Sequence, residues 1–161
     1  MRGLDTAPAV RCLAQAIEPI REREGRVRLT KAVVELLDGE RICRVATVND
    51  AGMPHLIPVC QVVRDGKIYF ASGSDGRKVL NLRANPRLAL TVDLYSEAWV
   101  HIKGVMVQGR AMLIEKGPRF RRIRGLLYEK YPQYPVRAAL DESDSVIVEM
   151  TPTRVFSWGI K

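Results

Sequence analysis

The stretch RICRVATVNDAGMPHLIPVCQVVRDGKIYFAS, residues 41–72, decides the reading of the fold. RICRVATVN is rich in β-branched residues and runs into DAGMP, a cluster of turn formers. HLIPVCQVV reads as a second strand, RDG as a tight turn and KIYFAS as a third strand, so the three predict a meander. Pro58 cannot donate to a ladder and marks an edge or a bulge in the second strand.

Downstream, SGSDG is a loop of small and polar residues, and RKVLNLRANP reads as a helix burying Val79, Leu80 and Leu82 before Pro86 ends it. RLALTVDL is a fourth strand. VHIKGVMVQGRAMLIE is a long fifth, in which Gly104 and Gly109 predict the bends or bulges a closing sheet requires. GPRFRRIRGLLYEKY is amphipathic, with Phe120, Ile123, Leu127 and Tyr131 on one face and most arginines on the other. SVIVEM and TRVFSW supply closing strands. Upstream, Thr30 is a predicted N-cap for a short helix carrying Val33, Val34, Leu36 and Leu37, with Gly39 after its end. Residues 8–23 have Val10, Leu13, Ala14 and Ile17 at helical spacing, and Pro19 interrupts them. The sum is a mainly β chain with peripheral helices: a six- to seven-stranded antiparallel split β-barrel at 29–161, preceded by a helical extension at 1–28.

Composition narrows the function. A chain of 161 residues, 47% hydrophobic, buries one core without disulfides or metals. No apolar run can span a bilayer, and Arg11, Gln15 and Glu18 interrupt any secretory h-region, which predicts a cytoplasmic protein. Cys12, Cys43 and Cys60 form no CxxC pair, and with two histidines, His55 and His101, a metal site is not expected. The net charge of +8 concentrates at Arg21–Lys31 and Arg119–Arg124, without the interleaved aromatics of a single-strand stacking platform. A solvated helix face accounts for the second cluster better than nucleic acid does.

No GxSxG, HExxH, P-loop or GxGxxG is present, so hard chemistry must come from a cofactor and no catalytic side chain is assigned. The informative stretch is SGSDGRK, residues 72–78. A small-residue loop that leaves a strand and enters a helix exposes backbone N–H groups and the helix's positive end, and Arg77 and Lys78 add charge. The pattern suits a phosphate; a flexible connection with two solvated cations is the plain alternative. Arg44 sits in an apolar strand and either points outward or meets Asp93. His55, at a strand start, reads as a hydrogen-bonded structural residue, and Trp99 and Trp158 as core or site-lining rings.

Taken in order, ICRVATVNDAGMPHLIPV, GKIYFAS, GRKVLNLRANPRLALTVD and VMVQGRA resemble the pyridoxamine 5′-phosphate oxidase-like split-barrel flavoproteins over about residues 32–115. KYPQY and TPTRVFSWG resemble the branch of FMN-binding or deazaflavin-dependent oxidoreductases. The resemblance implies a homodimer with two cofactor sites at the subunit interface and hydride transfer to a small molecule. It implies an isoalloxazine along His55, Ile57, Pro58, Val59 and Cys60, touched by Phe70, Ala71 and Ser72, with Arg77 and Lys78 on the phosphate. FMN is the expected cofactor and the deazaflavin coenzyme F-420 the alternative. A non-catalytic flavin- or haem-binding module, with His55 or His101 as axial ligand, is the competing reading. Two departures count against vitamin B6 oxidation: Ile57 stands where true pyridoxamine phosphate oxidases carry an arginine, and VFSWGIK lacks their arginine- and histidine-containing segment.

Overall fold

The structure, a computed structural model, describes residues 27–160 and the backbone of Glu18–Pro19. Most of the helix expected at 8–23 lies outside the described residues. Glu18–Pro19 itself is extended (β1) and pairs antiparallel with Phe156 and Ser157. The remaining elements in chain order are α1 (Lys31–Gly39), β2 (Cys43–Val48), β3 (Pro54–Val59), β4 (Gln61–Arg64), β5 (Lys67–Gly73), α2 (Arg77–Ala84) and β6 (Arg87–Leu94). A single 3₁₀ turn at Trp99–His101 leads to β7 (Lys103–Ile114), α3 (Pro118–Lys130), the short α4 (Tyr134–Arg137) and β8 (Ser145–Trp158). The sheet is antiparallel throughout, in the order β3-β2-β6-β7-β8-β5-β4, with β1 on β8. It curls as a half-open barrel, the architecture expected from the sequence.

Local chemistry fixes the element ends. Thr30 Oγ1 accepts the Val33 amide at 3.3 Å, capping α1 as expected. Asp65 and Gly66 both have positive φ, 53° and 72°, and form the two-residue loop joining β4 to β5. That is the mirror-image turn whose twist suits a hairpin. SVIVEM and TRVFSW are one continuous strand rather than two.

HLIPVCQVV, which reads as one strand, is two. The ladder breaks at Cys60: β3 pairs with β2, while β4 pairs with β5. These are the two extreme strands of the sheet, and one residue separates them, so the edges must meet at that corner and the sheet must curl. Pro58 is tolerated because β3 is an edge strand. The corner is held by Tyr131, whose hydroxyl accepts from the Gln61 amide at 2.9 Å and lies 2.7 Å from Gln61 O and 2.8 Å from Arg41 O, either of which can take its proton. Burial pushes the Tyr131 phenol up to about 12, so the donor persists at neutral pH. The Gln61 side chain, itself fully buried, donates to the carbonyls of Leu37 and Glu40 at the end of α1.

Two cores follow from strand alternation. The inner one gathers α1 (Val33, Leu36, Leu37), Leu82 of α2 and the inward residues of β2, β5, β6, β7 and β8. The outer one places Phe120, Ile123 and Leu127 of α3, with Tyr131, on Val62, Tyr69 and Ile147. There Glu149, 1% exposed, bonds both Lys67 and Arg119, tying α3 to the sheet. Leu80 of α2 is exposed rather than buried; the inward face of that helix is Val79, Asn81 and Leu82.

Tyr131→Phe strands the buried Gln61 backbone groups and removes the partner of the part-buried Arg41 carbonyl. It is expected to cost about 1–3 kcal/mol of unfolding free energy in urea, with the slope unchanged. A cost below about 0.5 kcal/mol would show that the corner does not depend on this hydroxyl.

Candidate functional site at the polar end of the barrel

Alternation along β2 points Cys43, Val45 and Thr47 inward, and the register sets Val59, Ile57 and His55 of β3 directly opposite them. Along β5 the inward residues are Ile68, Phe70 and Ser72. On all three strands the inward row is apolar at the Cys60 corner and polar at the far end, at Thr47, His55 and Ser72. The helix α2 covers that end. Its Lys78 Nζ donates to Ser72 Oγ at 2.8 Å, and one turn later Asn81 Nδ2 donates to Thr47 Oγ1 at 3.0 Å. One helix face therefore clips β5 and β2 together across the split.

The residues singled out on sequence divide between the two faces. His55, Ile57, Ser72 and Lys78 belong to the inner side of the polar end, with Arg77 exposed at the helix start. Val59 and Phe70 are sealed in the inner core, 8% and 0% exposed. Pro58 lies on the outer face opposite Arg44, Ala71 lies under α3 and α4, and Cys60 occupies the corner. Arg44 points outward and meets Asp93 at 3.1 Å. Trp158 packs where Gly104 leaves room for its ring; Trp99 and His101 are exposed on the 3₁₀ turn. Thr47 and Asn81 were not singled out on sequence. Their signals were Thr47 sharing the parity of Cys43 and Val45, and Asn81 standing three residues after Lys78 on one helical face.

The electrostatics favour an anion. Lys78 is half-buried and its pKa is lowered by that burial; among the described residues no carboxylate lies within ion-pair distance of it or of Arg77. The N-cap of α2 is Gly76, which offers no side-chain acceptor; Val79 N donates to Gly76 O at 2.8 Å, and the Arg77 and Lys78 amides have no bond among the described residues. A side chain at Gly76 would meet Ser72 Oγ at 2.8 Å and Gly73 O at 3.0 Å, so the loop packs tightly only with glycine there. His55 Nδ1 is buried with no hydrogen-bond partner among the described residues, so the structural role expected for it finds no bond at that atom. A desolvated cation, an uncapped helix start and an orphaned ring nitrogen fit a ligand with a phosphate and further polar groups. His55 and Lys78 line none of three surface depressions of about 390–410 Å³; one of these, beside Ser72, lies under α4.

Fold and site together define a split-barrel protein whose open end is polar and carries Arg77 and Lys78. The sequence pattern described as pyridoxamine 5′-phosphate oxidase matches residues 29–159, and the chain belongs to that family. No curated protein matches it. Among solved structures it is similar to a conserved hypothetical protein of Mycobacterium tuberculosis (23% identity, 86% of this chain and 89% of that one, TM-score 0.71). It is also similar to an FAD-binding protein of Mesorhizobium loti (23%, 76% and 87%, TM-score 0.64). A third is a haem storage protein of Vibrio cholerae (16%, 83% and 97%, TM-score 0.70). The fold is thus shared by flavin- and haem-binding proteins.

A lysine whose pKa is lowered by burial destabilises the fold while charged, and the penalty is relieved as pH rises through its lowered pKa toward the unfolded value of about 10.5. Lys78→Met is therefore expected to stabilise the ligand-free protein by up to about 1 kcal/mol, small because the side chain is half-exposed. The gain should shrink as pH rises toward about 10.5 in urea titrations. Destabilisation by this variant at pH 7 would refute the unpaired-cation account.

Proposed function

We propose that the chain is a cytoplasmic FMN-binding oxidoreductase that passes hydride between the cofactor and a small molecule, with the deazaflavin coenzyme as the alternative ligand. The observation that carries this reading is Lys78: a half-buried ammonium, held by Ser72 and without a carboxylate, at an uncapped helix start. The flavin-binding relative on the same fold supports it.

In this reading Lys78, Arg77 and the first amides of α2 hold the phosphate, and Ser72 keeps the ammonium aimed. Ile57 offers an apolar wall, His55 Nδ1 meets a polar ligand atom, and the unpaired edge of β3 presents backbone donors and acceptors. The bound isoalloxazine supplies the redox chemistry; the chain's own residues orient it and exclude water. His55 and Lys78 line none of the three depressions formed by the described residues, and a second copy completing the site accounts for this. Met53 and Leu56, each 65% exposed at the β3 edge, belong to the contact. With Ile57 in place of a phosphate-binding arginine, pyridoxamine phosphate is not the substrate, and no peroxide is expected from it.

Titration with FMN and with the deazaflavin coenzyme, followed by absorbance and fluorescence, tests the reading. Tight binding is expected, weakened about 100-fold or more in Arg77→Ala/Lys78→Ala, since two charge-assisted contacts are lost. Binding of neither ligand would reject it. Leu56→Glu is expected to convert a dimer to a monomer in light scattering; a wild-type monomer would reject the dimer.

A second reading is a haem-binding module, favoured by the partnerless His55 Nδ1 and by the haem storage relative. It requires a Soret band on haem addition that shifts in His55→Ala; no band would end it.

A further inference from the structure

The excess positive charge is not distributed as the sequence suggests. On α3, Arg119 bonds Glu149, Arg121 bonds Glu142 at 2.8 Å, Arg122 meets Asp65 at 3.3 Å, and Arg124 donates to the Leu140 carbonyl. Each arginine of that helix face thus has a partner within the chain, three of them a carboxylate. Besides Arg77 and Lys78, two further unpaired cations face each other on the outer face of the sheet.

A groove of about 410 Å³ crosses β2, β6, β7 and β8 there. Its floor is small and apolar: Ala46, Ala89 and Gly109. Register makes this a continuous row, with Ala46 opposite Ala89, Ala89 opposite Gln108, and Gln108 opposite Arg154. A β-bulge interrupts the ladder beside it. Between Gln108 and Gly109 the β8 partner jumps from Arg154 to Pro152, and a side chain at Gly109 would collide with Thr151 O and Met150.

Arg87 and Arg110 stand directly opposite one another across β6 and β7, both exposed and both lining the groove. Neither guanidinium has a hydrogen-bond or ion-pair partner among the described residues, and Arg154 flanks them. Among the described residues no carboxylate lines the groove. Like charges directly opposite in a ladder repel. An anion bridging the two forks converts that repulsion into paired charge-assisted hydrogen bonds.

We propose that this groove is a second binding site, separate from the Ser72–Lys78 end. Its ligand is a small organic dianion: a phosphate or paired carboxylates between Arg87 and Arg110, with an apolar body over Ala46 and Ala89. It stands independently of the flavin reading, since Lys78 and α2 take no part in it.

Calorimetric titration of the full chain with phenyl phosphate, in phosphate-free buffer, tests this. The wild type is expected to bind it several-fold more tightly than inorganic phosphate, because the ring covers the apolar floor. Arg87→Gln/Arg110→Gln should lower that affinity at least tenfold, and Arg110→Gln alone by less. Both variants should keep the wild-type melting temperature or exceed it. Lys78→Met should retain the binding. Any of three results would overturn the proposal: affinity unchanged in the double variant, equal affinity for inorganic and phenyl phosphate, or loss of binding in Lys78→Met. Preference for a short single-stranded DNA through the same arginines would also overturn it in favour of a nucleic-acid surface.

Discussion

The covalent joint at Cys60 is the constraint from which the rest of the architecture follows. The two end strands of a seven-strand path are consecutive in the chain, so no flat sheet can satisfy both pairings. Curling brings the edges together at Cys60 and lets them diverge away from it, which is what opens one end of the barrel. The hydroxyl of Tyr131 and the amide of Gln61 hold the closed corner by satisfying backbone groups that the change of partner would otherwise orphan. The open end, lacking a ladder across it, is spanned instead by α2 through Lys78–Ser72 and Asn81–Thr47. Polar side chains collect there because backbone pairing cannot serve both edges. The candidate site is thus a consequence of how the barrel fails to close.

Much of this was legible in the sequence, and the misreadings share a cause. Thr30, the Asp65-Gly66 turn, the bulge at Gly109 and the buried face of α3 all read correctly, because each is a local pattern with a local cause. Splitting HLIPVCQVV at Cys60 depended on which distant strand each half pairs with. Local β propensity is equally high on both sides of that residue, and nothing in it marks a change of partner. Leu80 was misplaced for the same reason: on a short helix, which apolar residue faces inward is set by the sheet beneath, and Asn81 takes the inward place to reach Thr47.

The site shows the same division. Consecutive residues such as Ile57-Pro58-Val59 or Phe70-Ala71-Ser72 share a neighbourhood in sequence, but a strand sends neighbours to opposite faces. Arginine 44 opposite Pro58, and Ala71 beneath α3, make the separation concrete. The loop-to-helix motif at 72–78 keeps Ser72 and Lys78 in contact because both lie on one short contiguous segment.

Charge is where composition misleads most. A net charge of +8 and an arginine-rich helix suggest a polyanion surface, but what matters is whether each cation has a partner after folding. Buried Glu149 binds two cations at once, and Glu142 and Asp65 take two more, so α3 is the basic element least available to a ligand. Among the described residues no carboxylate comes within ion-pair distance of Lys78, Arg77, Arg87 or Arg110. Keeping Lys78 half-buried without a counter-ion works against stability, and placing Arg87 against Arg110 does the same. Both costs fall when an anion arrives. At these positions any binding of an anion and the stability of the ligand-free fold would oppose one another, and that opposition marks them as candidate sites more strongly than the number of basic residues does.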